Sequence, residues 1–534
     1  MPAAVRRLRG RPGGDDVVAG WIVTAAVTLL AGFLRLWHLG TPRTFAFDET
    51  YYAKDAWSLW RHGYARNWDK GADKGILDGR NPLDVQGQDP TMVVHPEAGK
   101  WLIGAGEQVF GFDPFGWRVA SAVVGVLMVL VMVRLVRRLT GSTLLGGVAG
   151  LLLCFDGLHF VLSRLALLDI FVAFFLLSAV SCLVADRDWA RARLAERAGA
   201  AVEVVAGRLS GWGPRLWWRP WRLAAGVLFG LAVASKWTAL LPLAGFAVLS
   251  VLWDSGARRA LGVRWAFLKA AVIDGLPAFG YLVVLALVVY VASWAGWLVH
   301  ADAYESALAR NSYGPYWGSY TRADPQGFLP SLTQGLRSLW HYHQDVWAFH
   351  TAGLLDATHT YQSAPQGWLV MQRPVVVATD LGVLPGTQGC AAPADSTCLR
   401  EVILLGTPML WWAGVAAHLY ALWGWLARRD WRYGVAVVGL LTTWVPFFRY
   451  ADRPIFSFYA VALLPFTIVA LCLLLGRLIG PEGAPGRRRV LGSVAAGAFV
   501  AMVVLNFAWL WPVYTYELIS TPDWLDRIWF QSWI

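Results

Sequence analysis

Two adjacent carboxylates, Asp48 and Glu49, stand within the aromatic stretch FAFDETYY at residues 45–52. The stretch follows an apolar run that is long enough to cross a bilayer. Aromatic neighbours would partly exclude water from the two acids, and desolvation raises the pKa of a carboxyl group and makes it a better base. The pair is therefore a candidate for general-base chemistry at a membrane surface. The alternative is an ordinary solvated pair of loop acids.

A second motif, HPEAGK at residues 95–100, lies further along the same predicted loop. Its His95 and Lys100 could bind an anion such as a lipid phosphate at the membrane interface. The alternative is that these residues only cap a loop. The residues of the motif by themselves leave both interpretations open.

Ionisable residues inside or beside apolar runs are a sharper signal, because each is costly in a bilayer without a partner. Arg164 and Asp169 lie between the third and fourth apolar runs, five residues apart and slightly off one helical face. They could pair with each other, or Arg164 could face a ligand anion. Lys236 stands at a break between two further runs, and Arg453 lies in a short turn before a very apolar run.

Other familiar motifs are missing from the sequence. It contains no Cys-x-x-Cys or His-Glu-x-x-His spacing, so it predicts no metal site. It also contains no Walker loop and no Rossmann glycine fingerprint, so an enzyme would need a donor that arrives through the membrane. The Asp-x-Asp at residues 186–188 lies in an arginine-rich segment and is interpreted as a solvated helix end. Cys390 and Cys398 lie in a predicted outer loop on an oxidising face, where they could form a disulfide or remain free.

The composition explains why these few charges matter. Of the 534 residues, 57% are hydrophobic and only 15% are charged, against about 25% in soluble domains. So little polar surface could not cover so much apolar mass, which indicates a polytopic membrane protein. The net charge of +11 does not indicate nucleic-acid binding, because the arginines form short clusters between apolar runs, as cytoplasmic loops do.

The apolar runs predict eleven membrane-spanning helices. The predicted spans are 17–34, 117–139, 142–160, 165–185, 223–236, 237–253, 271–298, 401–427, 432–448, 455–477 and 490–511. Residues 223–253 have basic flanks at both ends but are too few for two spans of about 20 residues each. We therefore expect two short helices or a re-entrant pair there, broken near Ser235–Lys236 and Pro242.

The basic clusters also predict which parts face the cytoplasm of a plasma-membrane protein. The N-terminal residues 1–16 and the arginine-rich loop 186–222 are expected inside. The membrane domain spans 17–511, and two large loops, 40–116 and 299–400, and the C-terminal residues 512–534 are expected outside. Most of the 32 tryptophans are interpreted as an interfacial belt, and an amphipathic helix is expected around 96–110. Asp48, His95, Arg164, Lys236 and Arg453 would then all reach the outer face, where they suit a negatively charged lipid head.

Several motifs, taken in order, resemble the protein O-mannosyltransferases in their bacterial, actinobacterial-like form (glycosyltransferase family 39). The matching segments are FDETYY from 47, HPEAGK from 95, WRVAS from 117, 163–169, SKW from 235, HTYQS from 359, WLV from 368, RP from 373, and 453–459. The resemblance runs over nearly the whole chain. It implies an all-α polytopic membrane protein of GT-C architecture, with about eleven transmembrane helices and its active loop outside, like the topology above.

The resemblance also implies an activity: transfer of mannose from polyprenyl-phosphate-mannose to Ser or Thr hydroxyls of secreted or membrane proteins, by an inverting displacement. Asp48 matches the family's catalytic acidic position and would be the general base, with Glu49 positioning the acceptor or the base. The candidates for the donor phosphate and sugar, whose leaving charge needs stabilisation, are His95, Lys100, Arg164, Lys236 and Arg453. The candidates for supporting the site are Asp169, Arg118, His359, Tyr361 and Gln362.

The resemblance implies neither a metal nor another cofactor, and unfolded acceptors suggest coupling to the Sec translocon. Two departures stand out: the second loop is too short for the β-trefoil domain of the eukaryotic members, and Glu97 replaces the second proline of the His-Pro-Pro found in many relatives.

Two alternatives remain: another GT-C transferase with a glycolipid acceptor, or a transporter. A transporter often shows internal repeats with paired broken helices, whereas the sequence predicts one broken pair.

Overall fold

The computed structural model describes residues 16–200, 204–205, 208–209, 211–311, 314, 316–323, 325–481 and 483–534. The predicted cytoplasmic N-terminus therefore lies outside the described residues except for Asp16. Part of the predicted loop 186–222 lies outside them as well.

Within the described residues, eleven helical segments form a bundle that corresponds to the eleven predicted spans. They are α1 (Val17–Leu36), α2 (Pro114–Thr140), α3 (Thr143–Cys154), α4 (Leu168–Ala200), α5 (Pro220–Val233), α6 (Leu240–Ala260), α7 (266–293, with a π-helical turn at Gly280–Val284), α8 (Pro408–Leu426), α9 (Trp431–Trp444), α10 (Leu464–Ile479) and α11 (Gly486–Thr515). Among the residues that the structure describes, six helices are long and apolar enough to cross a membrane: those within α1, α2, α4, α6, α7 and α11. The chain is thus a multi-pass, mostly helical membrane protein, as predicted.

Local signals in the sequence account for the helix ends and contacts. Helix α2 begins after Asp113, whose carboxylate accepts a hydrogen bond from the backbone N–H of Gly116, and it ends at Gly141 in the left-handed conformation. Helix α5 packs closely on α7 through its glycines: a Cβ atom on Gly226 would lie 1.8 Å from the carbonyl oxygen of Tyr281. Gly230, one helical turn later, is also close to the backbone of Ala286, so the Gly-x-x-x-Gly spacing marks close helix packing here.

The two large loops contain most of the remaining secondary structure. The first loop holds helices Glu49–His62, Ala72–Leu77 and Ala98–Phe110, a 3-10 turn at Pro82–Asp84, and the hairpin of β1 (Arg66–Trp68) and β2 (Gln86–Pro90). Two short strands, β3 (Val204–Val205) and β4 (Arg208–Leu209), pair between α4 and α5. The second loop holds helices Ala295–Val299, Ala301–Arg310, Trp317–Arg322 and Phe328–Ala348, a π turn at Phe349–Gly353, and a 3-10 turn at Pro365–Val370. A small antiparallel sheet closes it, in the order β5 (Val375–Val383), β6 (Cys398–Leu404), β7 (Ile519–Ser520).

The structure corrects one predicted boundary and decides one question that the sequence left open. The run from residue 401 was predicted as the start of a span, but it belongs to the buried strand β6, and α8 begins only at Pro408. A short apolar run cannot be told from a buried helix by its period alone. The disulfide between Cys390 and Cys398 is formed. Because β7 pairs with β6, the C-terminal segment lies against the second loop.

The predicted broken pair is present, with one difference. Helix α5 is short, at 14 residues, and the chain breaks at Ala234–Ala239, which includes Lys236. Helix α6 is full length, at 21 residues, and Pro242 lies in its first turn, where proline is tolerated, rather than at the break. Helix α4 continues to Ala200, past the predicted end of its span at residue 185.

Candidate active site

Asp48 is held where three segments of the chain meet. It immediately precedes the helix Glu49–His62, and the residue before it, Phe47, adopts a positive φ of 52°. Such a conformation costs a bulky residue about 1–3 kcal/mol. The Phe47 ring packs edge-on against the rings of His359, Phe456 and Phe458, which offsets that cost.

Whereas the next residue, Glu49, is fully buried, Asp48 keeps part of its surface exposed. The hydroxyl of Tyr52, one helical turn later, donates a hydrogen bond to its Oδ2 at 3.3 Å. Desolvation raises the pKa of Asp48 above its ordinary value, while the nearby Lys236 ammonium opposes that rise. The result is a carboxylate that is more basic than a solvated one.

Lys236 and Asp169 form an ion pair beside Asp48. The Nζ of Lys236 lies 2.8 Å from Oδ2 of Asp169, which stands in the first turn of α4, and 4.8 Å from the centroid of the Tyr459 ring. The break between α5 and α6 thus places a cation between two carboxylates. Asp169 pairs with Lys236 rather than with Arg164, which settles the alternative that the sequence left open.

A second group of polar side chains adjoins this cluster. The His95 ring lies 6.3 Å from that of Tyr52 and stacks on His350 at 5.3 Å, and Nη1 of Arg453 lies 3.5 Å from Nδ1 of His350. Desolvation lowers the pKa of His95 well below its usual value, and the Lys236 charge lowers it further. His95 is therefore a neutral hydrogen-bonding group here rather than a cation.

Two predicted phosphate ligands are occupied elsewhere, which corrects their assignment. The guanidinium of Arg164 donates hydrogen bonds to four backbone carbonyls in the last turn of α1 and just after it. They belong to Leu34, Arg35, Trp37 and His38. Its role is to cap α1, where the last carbonyls lack helical partners. Lys100 is buried, and its Nζ is bound to Asp55 at 2.8 Å. Neither cation is available to a donor phosphate in this arrangement.

Glu49 also has a narrower role than predicted. Its side chain has no exposed surface, and both oxygens are bound by Arg118, at 2.8 Å and 2.7 Å. The backbone N–H groups of Ala46 and Ala166 donate to the same carboxylate. Glu49 therefore cannot reach an acceptor, and it acts by fixing the turn before Asp48. Arg118 extends this support by donating to the carbonyl of Pro42.

The predicted supporting residues His359, Tyr361 and Gln362 form a tight turn beside Phe47. Nδ1 of His359 accepts a hydrogen bond from the backbone N–H of Tyr361, and Oε1 of Gln362 accepts one from the N–H of His359, both at 3.1 Å. His359 is exposed. The turn therefore places an exposed histidine beside the residue that precedes Asp48.

Three residues of the site were not predicted individually: Tyr52, Tyr459 and His350. Tyr52 had a local signal, because a residue four positions after Asp48 lies on the same face of a helix. Tyr459 lies in a quoted motif without an assigned role. His350 had no local signal, because its partner Val94 is 256 residues away in sequence.

The arrangement can remove a proton from a hydroxyl group and stabilise an anionic leaving group next to it. Asp48 supplies the base, and Lys236 and Arg453 supply positive charge. Among the residues that the structure describes, no three His, Cys, Asp or Glu side chains are grouped as metal ligands would be.

Comparison with known proteins identifies the family of the chain. Residues 25–294 match the family described as dolichyl-phosphate-mannose-protein mannosyltransferase, and residues 335–533 match the C-terminal four-transmembrane region of protein O-mannosyltransferase. The chain is 38% identical over 527 residues to the polyprenol-phosphate-mannose–protein mannosyltransferase of Mycobacterium tuberculosis, covering 97% of this chain and 92% of the relative. It is 32% identical to the protein of that name from Corynebacterium glutamicum, over 96% of this chain and 93% of the relative.

The fold gives an independent comparison. The structure of the S. cerevisiae protein O-mannosyltransferase Pmt1-Pmt2 complex bound to the sugar donor superposes with a TM-score of 0.68. The superposition covers 100% of this chain and 94% of the yeast chain, at 13% identity, and therefore shows a shared fold. With matches across both halves of the sequence and close relatives along its whole length, the chain belongs to the protein O-mannosyltransferase family.

Proposed function

We propose that this enzyme transfers mannose from polyprenyl-phosphate-mannose to hydroxyl groups of Ser and Thr in proteins. The observation that carries the proposal is the juxtaposition of a partly exposed carboxylate, Asp48, with the paired Lys236 ammonium and the half-buried Arg453 guanidinium. Two relatives, 38% and 32% identical to this chain, carry the same name. That name gives the donor and the class of acceptor.

The reaction is a single displacement at the anomeric carbon. Asp48 accepts the proton of the acceptor hydroxyl as its oxygen bonds to that carbon, and the bond between the carbon and the phosphate oxygen breaks. The electron pair leaves with the polyprenyl phosphate, and the anomeric configuration inverts. Tyr52 holds the carboxylate through its hydroxyl, and Glu49 and Arg118 hold the turn that carries it.

The leaving phosphate is stabilised by Lys236 and Arg453, with neutral His95 as a hydrogen-bonding partner. Asp169 keeps the Lys236 ammonium in place without covering all three of its donors, since one hydrogen bond to Asp169 leaves two. Preorganised donors at a developing negative charge usually contribute about 10²–10³ in rate each. The reaction as proposed uses no metal and no further cofactor.

We also propose the orientation in a plasma membrane. The arginines at the start of α5 and the end of α6 lie at the opposite end of the bundle from Asp48, which supports a cytoplasmic position for them. Asp48, both large loops and the C-terminal segment then lie outside. The acceptor is an unfolded polypeptide during export, in keeping with coupling to the Sec translocon.

A transfer assay tests the proposal. Membranes containing the protein receive labelled polyprenyl-phosphate-mannose, a peptide rich in Ser, Thr and Pro, and membrane glycolipids as competing acceptors. Label on the peptide hydroxyls, unaffected by EDTA, is expected. Label on lipid alone would support the alternative glycolipid transferase, and loss of transfer in EDTA would contradict the metal-free reaction.

A further inference from the structure

His350 brings three distant segments of the chain together at the candidate active site. It lies in the π turn Phe349–Gly353 that follows the long second-loop helix Phe328–Ala348. Its Nε2 lies 3.0 Å from the carbonyl oxygen of Val94 in the first loop, and its ring stacks on His95 with an interplanar angle of 21°. The third segment is the turn that carries Arg453.

These contacts fix the hydrogen on the His350 ring. A carbonyl oxygen only accepts, so Nε2 must carry the hydrogen that is donated to Val94. Desolvation lowers the pKa of His350, and the positive charges of Arg453 and Lys236 lower it further, so the ring is neutral. Its Nδ1 therefore presents a lone pair, and this lone pair faces Nη1 of Arg453 at 3.5 Å.

Arg453 has unused capacity for hydrogen bonds. Its Nε is buried and has no hydrogen-bond partner, and its guanidinium lies 5.5 Å from the Tyr450 ring centroid. Within the part of the chain that the structure describes, no carboxylate lies within ion-pair distance of it, in contrast to Arg118, whose donors are bound by Glu49 and by backbone carbonyls. A planar guanidinium with free parallel donors matches the oxygens of a phosphate.

We propose that His350 is a positioning residue that orients Arg453 toward the donor phosphate, so that the second loop completes the donor site. This inference rests on the proposed function. The neutral Nδ1 acceptor holds one Nη1–H of Arg453 and leaves the remaining edge of the guanidinium to the phosphate. The link from His350 to Val94 aligns the same ring with His95, so both loops contribute to one anion site.

The test uses two substitutions that separate the two edges of the ring. In His350→Asn the amide oxygen can occupy the place of Nδ1 and accept from Arg453, whereas in His350→Gln the amide nitrogen reaches the place of Nε2 and keeps only the bond to Val94. We expect the KM for polyprenyl-phosphate-mannose to rise about tenfold in His350→Gln and His350→Ala, a typical loss for one oriented contact to a charged group. His350→Asn should stay within about twofold of the parent, and the KM for the peptide should not change.

His341 provides the matched control, because it is on the helix that leads into the π turn and contacts Tyr316 and Tyr320 instead of Arg453. His341→Ala should leave the donor KM unchanged. In an Arg453→Ala background, His350→Ala should have no further effect on the donor KM, because the group that it orients is gone. Full additivity of the two changes, or a rise in peptide KM equal to that in donor KM, would overturn the proposal.

Binding of unglycosylated polyprenyl phosphate to the purified protein in lipid nanodiscs separates this inference from the proposed function. If the parent protein binds the phosphate and His350→Gln weakens binding about tenfold while thermal unfolding is unchanged, His350 orients the anion site whether or not mannose is transferred. Equal binding by the parent, His350→Gln and His350→Ala would contradict the inference even if transfer to peptide is observed.

Discussion

Helix α4 carries two buried acids, Asp169 near its start and Asp186 about 26 Å further along, at 1.5 Å per residue. Each is bound by cations that belong to or adjoin α5. Asp169 is bound by Lys236 just after α5, whereas Asp186 is bound by Arg219 and Arg222 at its beginning, at 2.6 Å and 3.0 Å. The same pair of helices thus builds two charge clusters, one at each end.

The two clusters differ in whether their charges are balanced within the protein. Around Asp186, the two arginines also bind Asp254, so two cations face two carboxylates and all four side chains are almost fully buried. Around Asp169, Lys236 lies between two carboxylates, one of which, Asp48, is partly exposed. A closed cluster holds helices together, whereas an open one has groups left for a substrate. The closed cluster also corrects the interpretation of Asp186 as part of a solvated helix end, whereas Asp188, two residues later, is partly exposed.

The largest expected effect at the open cluster is that of Lys236→Ala. Removing one preorganised charge at the leaving phosphate should lower kcat by about 10²–10³. The protein should still insert and bind peptide, since the change affects the donor end of the site. Mannose transfer in nanodiscs and the thermal unfolding midpoint are the measurements. A variant with normal kcat would show that Lys236 contributes only to the stability of the fold, as is expected of Arg222.

Arg222→Ala should have the opposite signature. Breaking one side of a closed buried cluster leaves a carboxylate uncompensated and lowers the free energy of unfolding by about 3–5 kcal/mol. The donor and acceptor KM values of the protein that remains folded should match those of the parent. Thermal unfolding in detergent and kinetics normalised to folded protein test this. A changed KM with unaltered stability would remove the distinction between the clusters.

The pH dependence of transfer should show that the charge of Asp169 affects the pKa of Asp48 in the open cluster. The raised pKa of Asp48 predicts that kcat/KM falls on the acid side at a pH above the ordinary 3.8 of an aspartate, as the base becomes protonated. The charge of Asp169 contributes to that rise, so Asp169→Asn should move the acid limb to lower pH. Asp186→Asn, in the closed cluster, is the control and should leave the limb in place.

The smallest effect is expected at Glu97, where the charged groups that act on the side chain are Lys100 and Asp55 rather than those of the open cluster. Both of its oxygens are buried without partners, and desolvation raises its pKa from 4.5 to about 8. Because the folded pKa is higher than the unfolded one, the stability that the protonated form contributes is complete below about pH 4.5 and is lost as the pH rises toward 8. The thermal midpoint of the parent should therefore fall over this interval relative to that of Glu97→Gln. Parallel curves would show that Glu97 is ionised in the fold.

Much of the architecture was predictable from hydropathy and charge. The eleven spans and the break at Lys236 follow from lengths that a bilayer imposes. The loop position of Cys390 and Cys398 allowed a disulfide, and only the structure shows that it is formed. The start of α8 was not predictable, because β6 is as apolar as a helix that crosses the membrane.

The candidate site was predictable as a set of residues but not as a set of roles. Asp48 and Lys236 could be brought to one face by topology alone. Whether a cation is free depends on distant partners: Arg164 binds carbonyls about 130 residues earlier, at the end of α1. Spacing along the chain does not reveal such pairing. For that reason the sequence predicted Arg164 and Lys100 as phosphate ligands and did not predict His350.

The most direct test of the account is the transfer rate of Asp48→Asn beside that of Glu49→Gln, each normalised to folded protein that binds polyprenyl phosphate in nanodiscs. Asparagine keeps the size and the contact with Tyr52 but cannot accept the proton, so transfer to peptide should fall by at least about 10² with donor binding retained. Glu49→Gln should lose mainly stability, because Glu49 is closed off by Arg118. Transfer by folded Asp48→Asn at the parental rate would contradict the account, since the base would then lie elsewhere.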